Sequence, residues 1–172
     1  MPPARNKRKP KVSSPGLSSP SSKNASQKAH NTKWMVILVL ALIGIGIDSI
    51  LLYNKLSDTS TACPIGGNCD FVNNSVYSEM FGIPVSVFGI LGFAFFFLIA
   101  WGGWHKRLAQ ETALKIIAIA GGLMFLGAMY FVYLMLYVLD AICTWCIFSH
   151  TVLLLIVLWA FVHWRRTGGK RA

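Results

Sequence analysis

The sequence predicts an all-α integral membrane protein, a bundle of four transmembrane helices with an outer loop that carries a short interfacial helix. Three observations predict it. Of 172 residues, 55% are hydrophobic and only 13% are charged, where a soluble domain carries about 25% charged residues. The apolar residues gather into four continuous runs, each near the ~20 residues that cross ~30 Å of hydrocarbon as a helix. The charges, net +10, are confined to particular connections. Membrane strands would alternate polar and apolar residues, whereas a helix satisfies its own backbone hydrogen bonds, as hydrocarbon requires.

Residues 1–33 come first, as a basic tail. They hold eight Lys and Arg, no acid and five of the seven prolines. Such a stretch cannot bury enough apolar area to offset its ordering entropy, so we expect disorder. It is too long and too polar for a signal-peptide n-region, so the first apolar run is expected to stay as an anchor. A basic tail could also suit nucleic acid or anionic lipid. Ahead of a membrane span it reads as a cytoplasmic topology determinant, with no nucleic acid as partner.

The membrane domain occupies 34–164, with apolar runs at about 34–53, 83–101, 114–139 and 141–164. Residues 165–172 form a basic end. The tail, the 102–115 connection and this end carry 15 of the 16 basic residues and one acid, Glu111. By the positive-inside rule both termini are cytoplasmic. The 54–82 loop and the turn near Asp140 then face outward, and the expected location is a bacterial plasma membrane. Trp101, Trp104 and Trp164 fall at the inner boundary, as an aromatic belt does. Ala118 and Gly122 form a small-xxx-small pair, expected to let helices approach closely.

All four cysteines fall toward the outer face, where disulfides form. Cys63 and Cys69 flank Gly66-Gly67, a turn signal that lets the two sulfurs close a short loop. Cys143-Thr144-Trp145-Cys146 opens the fourth helix, with Asp140 expected as its N-cap. The free N–H groups of a first helical turn stabilise a thiolate and speed exchange. Cys146 lies about 4.5 Å deeper along the helix, so Cys143 is expected to face an exchange partner and Cys146 the interior. Four cysteines allow three pairings. Two permanent disulfides in a non-enzymatic scaffold would use the same residues. A zinc site would too, but the spacings are not those of paired zinc knuckles. A redox relay accounts best for a Cys-x-x-Cys at a membrane helix start.

The order of motifs resembles the vitamin K epoxide reductase family, in its prokaryotic disulfide-generating form. The loop pair is followed by Asn74-Ser75-Val76-Tyr77-Ser78, then by Gly82-Ile83-Pro84-Val85-Ser86-Val87-Phe88-Gly89, then by Cys143-x-x-Cys146; Asp48-Ser49 lies in the first helix. The likeness covers roughly 34–164. It implies a four-helix bundle around a quinone cofactor (ubiquinone, menaquinone or a relative). It also implies that Cys63 and Cys69 carry electrons from a reduced thioredoxin-like (DsbA-type) partner to Cys143 and Cys146, supporting disulfide formation in exported proteins. Cys69 is the implied site of the mixed disulfide and Cys63 of the internal attack. Many relatives carry the thioredoxin-like domain fused behind the fourth helix. This chain ends eight residues after Trp164, so the partner is expected in trans. The same site would serve a quinone or quinone-epoxide reductase.

Five further residues are candidates for the quinone site. His150 is i+4 from Cys146 and i+7 from Cys143, on one helix face, suited to bond a quinone oxygen or supply a proton. Asp48 is an acid inside the first helix, where an idle charge is costly. Val85 and His150 stand where the animal enzymes of the family carry Asn and Tyr against the quinone. Phe88 is nominated by its place in the motif. Ser75 lies in the stretch 70–80, where Phe71, Val72, Val76 and Met80 form the apolar side of an expected interfacial helix capping the pocket.

Overall fold

The computed structural model describes residues 20–57 and 59–168. Helix α1 spans Pro20–Leu56 and is followed, after a loop, by the short helix α2, Cys69–Asn73. A 3-10 turn at Val76–Ser78 leads into a hairpin of β1, Glu79–Met80, and β2, Ile83–Pro84. Three long helices complete the chain: α3 at Val85–Trp104, α4 at Gln110–Tyr137 and α5 at Thr144–Gly168. Four of these helices contain stretches long and apolar enough to cross a membrane, and the chain is an integral membrane protein.

The helices run up and down. Trp34 near the start of the first span packs with Ala100 of α3, Ala113 of α4 and Ala160 of α5. Leu51, at the other end of α1, joins Met135 of α4 and Cys143. Along α1, Trp34, Ile37 and Ala41 recur at helical spacing and turn inward. They meet Phe93 and Phe96 of α3, and Val152 and Ile156 of α5. Close approach rests on small residues: a Cβ on Gly103 would come within 2.5 Å of the Trp34 ring. Leu42, Leu91, Leu98, Leu123 and Leu126 point outward. Hydrocarbon is their solvent, so their exposure carries no hydrophobic penalty.

Three expectations are corrected. The basic tail, expected to run to residue 33, gives way to helix at Pro20; the part before it lies outside the described residues. Proline is tolerated at a helix start, and 21–33 contains no Gly or Pro to stop α1. The Ala118–Gly122 pair does not make the close approach, because nothing lies within 4 Å of a Cβ built on Gly122. Gly121 makes it instead, against Val157 of α5 at 2.6 Å.

The third correction concerns the extent of the short outer-loop helix, expected over 70–80: the loop does carry one, α2, but it stops at Asn73. Asn and Ser compete for backbone groups and stop helices. Here Ser75 Oγ donates to the Val72 carbonyl at 2.8 Å, and Asn74 Nδ2 to Asp70 Oδ1 at 3.2 Å. The chain then turns through Phe81 and Gly82 at φ of 55° and 77°, the positive values a two-residue hairpin turn needs. The resulting cap is tied to α1. Lys55 Nζ donates to the Asn73 carbonyl at 3.0 Å and to Ser78 Oγ, and pairs with Glu79 Oε1 at 3.1 Å.

Candidate functional site

The loop between α1 and α2 turns back through Gly66 and Gly67, at φ of 89° and 106°. Those angles suit only glycine without strain. The reversal brings Cys63 to Cys69 in a disulfide with Cα atoms 5.5 Å apart. Cys143 and Cys146 form a second disulfide at 5.3 Å. Of the three possible pairings the structure has this one, and both separations lie in the usual disulfide range.

Cys143, rather than Asp140, stands at the N-terminus of α5. Its Sγ accepts from Cys146 N at 3.2 Å, and its carbonyl takes the first helical bond, from Ile147 N at 3.1 Å. Asp140 sits in the preceding turn with φ of 47°, three residues too early to reach the first-turn N–H groups. A sulfur thus does the capping that a carboxylate was expected to do, and the pair is built into the helix start.

The two disulfides share one apolar cluster. Cys69 and Cys143 are 1% and 0% exposed, packed with Leu51, Val72 and Met135. Cys63 and Cys146 are half-buried against the same cluster. Three hydrogen bonds lay the loop on the start of α5. Asn68 N donates to Ile142 O at 2.9 Å, Thr144 Oγ1 to Gly66 O at 2.7 Å, and Trp145 Nε1 to Ala62 O at 3.0 Å.

Behind Cys146 lies a cavity of about 270 Å³, near the lower end of the roughly 300–1,000 Å³ usual for small-molecule sites. Every residue expected at the quinone site lines it: Asp48, Ser75, Val85, Phe88 and His150, together with Cys146. These come from α1, the cap, α3 and α5. Their coming together is a finding of the fold, since they are scattered over a hundred residues of sequence. Ser75 contributes least chemistry, its hydroxyl already bonded to Val72 O. Phe88 is 40% exposed and forms part of the rim.

Asp48 is 4% exposed and lines the cavity together with Ser149. Its Oδ2 has no partner among the described residues, and neither have Ser86 Oγ and His150 Nδ1. A buried polar atom without a partner is costly. Three around one apolar cavity suit a flat apolar ring with polar oxygens, and a quinone fits that description. Ser86 and Ser149 were not singled out from sequence. Ser86 lies inside the Val85–Phe88 motif, and Ser149 is i+3 from Cys146, so position beside known candidates was the available signal. The Lys55 tether was also missed. Its signal was a single cation among the acids of the outer connections.

Residues 35–161 match the Vitamin K epoxide reductase family. No curated relative matches the chain.

Proposed function

The chain belongs to the vitamin K epoxide reductase family, membrane oxidoreductases that couple disulfide chemistry to quinones, and from that premise we propose that it is a thiol oxidase. It draws two electrons from a reduced thioredoxin-like protein and passes them through its two cysteine pairs to a lipid quinone, supporting disulfide formation in exported proteins. One observation carries this reading. The Cys143–Cys146 pair touches both sides of the path: Cys143 shares a cluster with Cys69, and Cys146 lines the cavity. The distribution of Lys and Arg supports an orientation with both termini cytoplasmic and the cysteines outside.

In the proposed cycle a partner thiolate attacks the loop disulfide and forms a mixed disulfide. Cys63 is half-buried and Cys69 is 1% exposed, which supports attack at Cys63 and release of Cys69. That order reverses the one implied by the family resemblance. The second partner thiol then resolves the mixed disulfide, leaving the partner oxidised and both loop cysteines reduced. Cys69 thiolate attacks Cys143, and Cys146 leaves as a thiolate at the cavity wall. Cys63 thiolate next attacks Cys69, which reforms the loop disulfide and frees Cys143. Two electrons have then moved from partner to inner pair. A quinone bound in the cavity supplies the sink for those electrons and for two protons. Ser86 Oγ and a protonated His150 Nδ1 would donate to its oxygens, Asp48 would donate only in its protonated form, and the apolar walls exclude water from the inner sulfurs.

The test uses purified full-length protein, a reduced thioredoxin-like protein and a short-chain quinone. Wild type is expected to oxidise the partner only when quinone is present, and Cys146→Ala to lose that activity. Full turnover by Cys146→Ala would remove the inner pair from the path. Cysteines that stay oxidised and unexchanged through alkylation and mass spectrometry, with or without quinone, would leave a scaffold with structural disulfides.

A further inference from the structure

We propose that Thr144 and Trp145, the two residues between the inner cysteines, are positioning residues that clamp the outer loop onto the inner pair. This rests on the relay reading above and assigns it a device. Residues inside a Cys-x-x-Cys ordinarily act on the pair itself, by shaping the first helical turn and the thiolate it stabilises. Here both side chains reach away from their own disulfide. Thr144 Oγ1 donates to the Gly66 carbonyl at 2.7 Å, and the Trp145 indole N–H donates to the Ala62 carbonyl at 3.0 Å. The two accepting carbonyls lie one residue before and three residues after Cys63, so the clamp grips the cysteine from both sides.

The loop is shaped to receive this grip. A Cβ on Gly67 would lie 2.5 Å from the Ile142 carbonyl, so backbone passes directly over backbone. Asn68 N completes the seam by donating to that same carbonyl at 2.9 Å. Exchange between the pairs needs a loop thiolate in line with the Cys143–Cys146 bond. The new sulfur–sulfur bond forms on Cys143 as the old one breaks, and Cys146 leaves with the electron pair. Once the loop disulfide opens, its two halves gain freedom. The clamp keeps them beside Cys143 through that interval, so the attack remains effectively intramolecular.

The test separates a clamp from a tuner of the inner pair. In full-length protein carrying Cys63→Ala and Cys146→Ala, the rate at which the thiol oxidant diamide links Cys69 to Cys143 reports their approach. Thr144→Val and Trp145→Phe are each expected to slow linkage roughly two- to ten-fold, the rate equivalent of one net hydrogen bond. Thr144→Ser keeps the hydroxyl and is expected to restore it, which controls for folding. In the four-cysteine protein, the midpoint potential of Cys143–Cys146 in glutathione buffers should not move in any of the three. Unchanged linkage, or a shifted potential that accounts for the rates, overturns the clamp. Quinone-dependent partner oxidation by wild type is measured alongside. Its absence overturns the relay and the clamp together, whereas its presence with unchanged linkage overturns the clamp alone.

Discussion

Asp48 owes its place in the cavity to a side chain that is missing opposite it. A Cβ on Gly89 would collide with Asp48 Oδ2, so α3 presents bare backbone where α1 presents its one buried acid. Gly89→Ala overpacks this contact and should destabilise the protein by about 1–3 kcal/mol. Asp48→Ala removes the colliding group, and the double variant should recover at least about 1 kcal/mol of the summed single losses. Denaturant unfolding of the four proteins in detergent measures the coupling, and additive losses would mean that the two residues do not meet. Asp48 and His150 were legible in the sequence because an ionisable group inside an apolar run has few bland explanations. Ser86 and Ser149 were not, because a serine in a membrane helix commonly bonds its own backbone. Only the fold shows that Ser86 Oγ lacks that bond and that Ser149 is buried in the same cavity wall as Asp48.

At the scale of elements, the cap over the cavity is a broken segment tied to α1 by Lys55 and by a buried bond from Asn73 Nδ2 to the Leu51 carbonyl at 3.1 Å. Lys55 has three partners, on α2, the 3-10 turn and β1. Ser75, Tyr77 and Ser78 of that segment wall the cavity. The partners differ in weight. Glu79 is 46% exposed in its pair with Lys55, and such a pair contributes about 0–1 kcal/mol and is screened by salt. The bonds to Asn73 and Ser78 are sheltered, and removing their donor should cost about 1–3 kcal/mol. Lys55→Met is therefore expected to speed amide exchange across 69–84 and weaken quinone-analogue binding, while Glu79→Gln changes both little. Equal effects would place the tether in the ion pair. The sequence disclosed the long helices well, since apolar length alone marks them. It disclosed their ends poorly. The start of α5 was misread because Asp140 looked like a cap, and a cysteine sulfur took the role. The short outer-loop helix was expected too long, over 70–80, because an apolar stripe outweighed Asn73, Asn74 and Ser75, whose side chains favour turns and end α2 at Asn73.

At the scale of the whole molecule, the fold divides into a part that needs no sulfur and a part made of it. The large core around Trp34, Phe96, Ile117 and Ile156 contains no cysteine, and all four cysteines fall in or against the smaller cluster at the loop end. The disulfides span six and three residues. Cross-links so short remove only roughly 2 kcal/mol each from the unfolded chain on the loop-entropy relation. A bundle assembled by its own helix packing does not depend on such a contribution, and a relay that opens each bond once per cycle must not. Full reduction with dithiothreitol is therefore expected to leave the helical circular dichroism unchanged. Amide exchange should rise in 59–69 and at the start of α5, while the buried faces of α1, α3 and α4 stay protected. Loss of helicity on reduction would instead identify the two bonds as staples of the fold, and a protein that unfolds whenever its sulfurs are reduced could not use them to carry electrons.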